Sequence, residues 1–146
     1  MKITSLIFIL SLAALGCQQQ DTFVSHPPAR DGVFIHVTHG PDNPHRVTMA
    51  LKMAELMSDT QDVLMYFDIK GIQVVLKDSP DIEHKAFESS HEQIEKLLKN
   101  KVTILACPGC LKAQDKTPAD LRDGIKVASK EAFFGFTKGR ILTLDY

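Results

Sequence analysis

The plainest chemical signal in the chain is Cys107-Pro108-Gly109-Cys110, two cysteines three positions apart. They follow directly on Val102-Thr103-Ile104-Leu105-Ala106, an apolar, β-branched run that reads as a buried strand. Pro108 suits the first position of a helix, where its missing N–H costs no hydrogen bond. Cys107 is therefore predicted at the C-terminal end of a strand and at the N-cap of a helix. Unpaired amides and about half a positive charge at such a helix start would stabilise a thiolate and lower its pKa. Gly109 leaves the approach uncrowded, and Cys110, one helical turn on, faces the same side. The two sulfurs can close a disulfide, or Cys110 can resolve an adduct formed on Cys107. These two cysteines are the catalytic candidates. A pair of inert, buried cysteines is the plainer alternative.

Soft-metal binding is a second chemistry open to the same residues, and otherwise no cofactor is expected. A lone C-x-x-C supplies only two of the four ligands usual for zinc. His39 lies in the turn after the first strand and would adjoin Cys107 if the first and third strands are neighbours. Cys107, Cys110 and His39 then form the alternative metal set, with copper(I) the ion best suited to thiolates. His45 stands in the first turn of the next helix. His36 lies within a strand and reads as structural, whereas His26, His84 and His91 read as exposed loop or helix residues.

The elements that must position the cysteines alternate. Val33–Val37, Val63–Phe67, 102–106, 125–128 and 141–144 read as strands. Between the first two, Asn43 and Pro44 supply an N-cap and first helical position, and Val47, Ala50, Leu51, Ala54 and Met57 keep helical spacing. Ser90 with Gln93 three residues on fits a capping box for a second helix. Further helices are expected over 108–113, from Thr117-Pro118 to near Gly124, and from Ser129 to Phe136. Residues 72–76 read as a further strand or an extended edge, and 78–88 as loop. Strands separated by helices imply a parallel sheet covered on both faces, an α/β three-layer sandwich.

The first segment reads as an address. Residues 1–16, MKITSLIFILSLAALG, place one charge, Lys2, before an apolar run too short to span a bilayer, which needs about 20 residues. Ala14-Leu15-Gly16-Cys17 resembles a bacterial lipobox, making Cys17 the lipidation candidate and the membrane a partner through a lipid anchor. By the same resemblance Gln18 points to the periplasmic face of the outer membrane, and so to the cell envelope. Residues 17–31 are polar, contain Pro27-Pro28, and read as a lipidated cysteine with its tether, leaving 32–146 as the folded domain.

Composition narrows the rest. The chain has 146 residues, enough for one domain, with 44% hydrophobic and 24% charged residues. A formal net charge of -1 and the lack of any Lys/Arg run point away from nucleic acid. Three cysteines are too few for a disulfide scaffold. No phosphate-cradling glycine loop, Ser/His/Asp order or paired-carboxylate motif is present.

From Gly32 to Tyr146 the chain resembles the DsrE/DsrF-like sulfur-relay family. The resemblance is carried by the opening strand with its Thr38-His39-Gly40-Pro41 turn, the following Ala- and Met-containing helix, Leu105-Ala106-Cys107-Pro108-Gly109-Cys110, and Gly124-Ile125-Lys126-Val127. It implies a mostly parallel five-stranded sheet, homo- or hetero-oligomers with a homo-oligomer expected here, a thiol or sulfur-transfer partner protein, and a persulfide-carrying cysteine at Cys107. The resolving role of Cys110 rests on spacing alone. Relay members work in the cytoplasm, whereas this chain reads as exported, so periplasmic sulfur oxidation or thiol redox chemistry suits it better. A thioredoxin-like oxidoreductase is weaker, because its C-x-x-C follows an early strand and this one comes late. A non-catalytic interaction lipoprotein with a static disulfide is the remaining alternative.

Overall fold

The computed structural model describes residues 28–146. Residues 1–27, which hold the signal peptide expected over 1–16, the lipidation candidate Cys17, His26 and most of the expected tether, lie outside the described residues.

Five strands form one sheet: β1 Gly32–Val37, β2 Asp62–Phe67, β3 Thr103–Ala106, β4 Lys126–Val127 and β5 Ile141–Asp145, in spatial order β4-β3-β2-β1-β5. All four ladders are parallel. The helices are α1 Pro44–Ser58, α2 Ser90–Lys99, α3 Pro108–Ala113 and α4 Lys130–Gly135.

Topology explains why the two faces differ. From β1 to β4 each crossover steps the same way, so right-handed connections put α1 and α2 on one face. The step from β4 back to β5 reverses, which puts α4 on the other. On the first face Val33, Ile35, Val37, Met65, Phe67 and Ile104 pack with Val47, Leu51, Ile94 and Leu97 into one core. Each such side chain contributes about 1.5–3 kcal/mol by leaving water. On the second face the six-residue α4 is a thin cover. Phe133 lies 5.7 Å from Phe34 and 4.9 Å, edge-on, from Tyr66 (centroid distances), while Phe34, His36 and Tyr66 stay half-buried.

Local signals were kept where they agreed with packing. Asn43 caps α1, its side chain accepting the Arg46 N–H at 3.2 Å, with Pro44 following. For α2 the cap is Ser89, not Ser90: Ser89 accepts from Glu92, while buried Ser90 Oγ accepts the Ile82 N–H at 2.9 Å and ties down the preceding loop. Residues 72–76 are not a strand. Ile69–Val74 form a 3₁₀ turn, and Leu76 makes only an isolated bridge to Leu121. The helix expected over 117–124 shrinks to a 3₁₀ turn, Pro118–Asp120, closed by a Thr117/Asp120 capping box. Gly71 lets the 69–74 turn press on the end of β1: a Cβ there would meet the Val37 carbonyl oxygen at 2.2 Å.

Candidate functional site

β3 ends at Ala106, and the Cys107 amide still donates to the Phe67 carbonyl at 2.9 Å, as if the ladder ran one residue further. The chain then turns into α3 with Cys107 as N-cap and Pro108 in the first turn, as the sequence predicts. Cys107 Sγ accepts the Cys110 N–H at 3.3 Å. α3 has only six residues, so local hydrogen bonds rather than a long helix dipole set the thiol's character. Both thiols are free and half-buried.

The neighbouring strand completes the surroundings. The Tyr66 hydroxyl is near enough to the Cys107 sulfur to favour its thiolate. Beyond β2, the Ile69 N–H donates to Cys110 Sγ at 3.2 Å, and the Gln114 side-chain amide donates to the Ile69 carbonyl at 2.7 Å. Ile69 has φ 46°, a left-handed conformation that is costly for a β-branched residue. This strain is stored at the point where the backbone grips a sulfur.

These contacts split the two thiols. Burial pushes Cys107 up, but hydrogen bonds from the Tyr66 hydroxyl, the Cys110 thiol and the Cys110 and Gly109 amides outweigh it, leaving its pKa below the ordinary value. Burial and the adjacent Cys107 thiolate raise Cys110, and the Ile69 amide offsets only part of this. Burial and the same thiolate raise Tyr66, so its hydroxyl remains a donor. One sulfur is thus prepared as a nucleophile while the other holds its proton.

A histidine bridge lies alongside. His36 is in register with Tyr66 on one side and Asp145 on the other. Its ring stacks on Tyr66 at 5.6 Å. Nδ1 lies 2.9 Å from Asp145 Oδ1 and Nε2 lies 3.0 Å from Asp68 Oδ2. The Asp68 contact is an ion pair poorly aligned as a hydrogen bond, and Asp68 Oδ1 is buried without a hydrogen-bond partner. Burial lowers the His36 pKa, but the two carboxylates raise it further, so the net shift is upward. A 290 Å³ cleft lined by His45, Arg46, Met49, Asp145 and Tyr146 meets this array only at Asp145, and neither cysteine lines it.

The metal set is not assembled. β2 lies between β1 and β3, so the His39 turn does not adjoin the Cys107 strand as a β1–β3 pairing would require. His39 instead contacts Asp42 at 3.3 Å. Among the described residues no group of three or more His, Cys, Asp or Glu side chains is placed to hold a metal. His45 and His84, expected apart in helix and loop, stack at 4.4 Å. Sequence reasoning missed Tyr66, Asp68 and Ile69 and took His36 as merely structural. The signal available was position: Tyr66, Asp68 and Ile69 stand at or just past the C-terminal end of the strand next to Cys107, and His36 near the same end of the strand beyond it, where open parallel sheets place their sites.

A family model for DsrE/DsrF-like proteins matches residues 31–138. The chain belongs to the DsrE/DsrF-like family. Two solved structures share its fold: the ychN protein from E. coli, at 13% identity and TM-score 0.55, and a protein of unknown function, MTH1491, from Methanobacterium thermoautotrophicum, at 18% identity and TM-score 0.52. Each comparison covers 79% of this chain and 99% of the other. No curated protein sequence matches it. For this DsrE/DsrF-like chain, family membership suggests sulfur relay with partner proteins as the general setting, and the neighbours carry the α/β fold with its parallel five-stranded sheet.

Proposed function

We propose that this protein carries or exchanges sulfur through Cys107, with Cys110 as resolving thiol. The observation that carries the reading is the unequal pair at the start of α3: Cys107 Sγ accepts the Cys110 amide beside the Tyr66 hydroxyl, which hold its pKa down, while burial raises that of Cys110. In the carrier reaction the Cys107 thiolate attacks the outer sulfur of a donor persulfide. A Cys107 persulfide forms and the donor leaves as its thiol. An acceptor thiolate then takes the outer sulfur and restores Cys107. Alternatively Cys110 attacks Cys107 Sγ, hydrosulfide leaves, and the two protein thiols are oxidised to a disulfide. The leader 1–16, Cys17 and the polar tether extend the proposal to a lipid-anchored, exported protein on the periplasmic face of the outer membrane. A thiol or sulfur-transfer protein is the proposed partner, and self-association is proposed with it.

Intact mass of protein extracted from its own membrane, before and after dithiothreitol, tests this. The expected result is a chain starting at Cys17 with acyl mass, losing about 32 Da, one sulfur atom, on reduction. A gain of about 2 Da, the hydrogens of a reduced disulfide, would show a static or redox disulfide in place of the carrier state. Alkylation that finds both thiols inert in the folded protein would sink the reading altogether.

A further inference from the structure

Asp68 has a buried side-chain oxygen with no hydrogen-bond partner, and the adjacent residue's amide holds the sulfur of Cys110. A buried carboxylate oxygen without a partner is costly and calls for an explanation. Asp68 does not cap the 3₁₀ turn that it precedes, and its ion pair with His36 occupies only one oxygen, so the second has no structural duty. The first oxygen is engaged by His36, whose second nitrogen is fixed by Asp145. The carboxylate is thereby anchored through one oxygen, while the other is buried and unpartnered. Cys110 needs a proton acceptor, because burial disfavours its thiolate and an adduct on Cys107 leaves that burial in place.

We propose that Asp68 accepts the Cys110 proton as Cys110 resolves an adduct on Cys107, with His36 as the residue that positions the carboxylate. This rests on the sulfur-exchange reading and assigns it a base. Transfer through one bridging water is sufficient. In the step, the Cys110 sulfur bonds to Cys107 Sγ and the bond from Cys107 to its adduct breaks. The adduct leaves as a thiolate with the electron pair, and the Cys110 proton passes to Asp68 and then to solvent. Two protein thiols are oxidised to a disulfide and the adduct sulfur is reduced.

Equimolar dithiobis-nitrobenzoate separates the two stages in the full chain carrying Cys17→Ser. Attack by Cys107 releases the first coloured thiolate and leaves a mixed disulfide. Attack by Cys110 releases the second, and Cys110→Ser abolishes that phase. Asp68→Asn is expected to slow the second phase relative to the first at least about tenfold at neutral pH, and to flatten the pH dependence of the second. Asp68→Glu, which restores a carboxylate, is expected to recover part of the rate. Should the asparagine variant not fold, Asp68→Ser makes the same comparison. If Asp68 acts only as a negative charge, removing it eases ionisation of Cys110 and speeds the second phase. An unchanged or faster second phase overturns the proposal. If the wild-type chain gives no first phase, the sulfur-exchange reading falls and this assignment falls with it.

Discussion

Removing one oxygen atom, with Tyr66→Phe, isolates the hydrogen bond that prepares Cys107. The phenyl ring keeps the stack on His36 and the edge contact with Phe133, so the sheet face is undisturbed. What is lost is a donor to a thiolate. Hydrogen bonds to charged groups contribute about 1.5–3 kcal/mol. Cys107 is half-buried, so solvent recovers part of this and the lower end applies. About 1.4 kcal/mol corresponds to a tenfold change in the thiolate population. Below the thiol's titration range, alkylation by iodoacetamide should therefore slow about tenfold, while the plateau rate at high pH stays close to that of the parent. The comparison is made in a Cys17→Ser, Cys110→Ser background, so that only Cys107 reacts. Equal rates at every pH would refute the assignment of Tyr66. Equal slowing at every pH would show lost access and not lost ionisation.

Ile69→Gly relieves about 1–2 kcal/mol of left-handed strain at a side chain that is 58% exposed and adds about 0.5–1 kcal/mol of unfolded-chain entropy, so the urea midpoint should hold or rise slightly; a drop of more than about 1 kcal/mol would contradict the strain. His36, facing Asp68, Asp145 and Tyr66, has its pKa raised above 6.5 in the fold. Its charge-linked stabilisation is complete below that unfolded value and is lost as pH rises through the folded one. The urea midpoint should fall over that interval, and His36→Gln should remove this component; an identical pH profile in the variant would exclude the bridge as its source.

Much of the fold was legible because local pattern and packing agreed. Asn43-Pro44 starts α1, and the apolar runs at 33–37, 63–67 and 102–106 are strands. Residues 72–76 misled because apolar composition does not distinguish a strand from a buried turn. There the close approach of Gly71 to Val37 decided for the turn. Ser90 misled because two adjacent serines can each cap, and only the loop contact from Ile82 shows which one is committed elsewhere. The nucleophile and its helix start were legible in four consecutive residues. Its surroundings were not, because Tyr66, Asp68, His36 and Asp145 come from separated segments that meet only through strand order. The expectation for His39 failed on the same point: placing β2, not β1, beside β3 changes which residues adjoin Cys107.

The pairing of β1 with β5 also has a kinetic consequence. His36 and Asp145 are 109 positions apart in the chain, yet lie side by side in the finished sheet. Contacts of such long range are reached only after a large loop has closed, and they slow the search for the native state. During synthesis β1 and β2 can associate long before β5 exists, so one edge of β1 stays open until the rest of the domain has been made. The histidine bridge is then among the last features to form. Its completion reports that the whole chain has folded, and a nascent or truncated domain would hold the cysteines without the second carboxylate on His36.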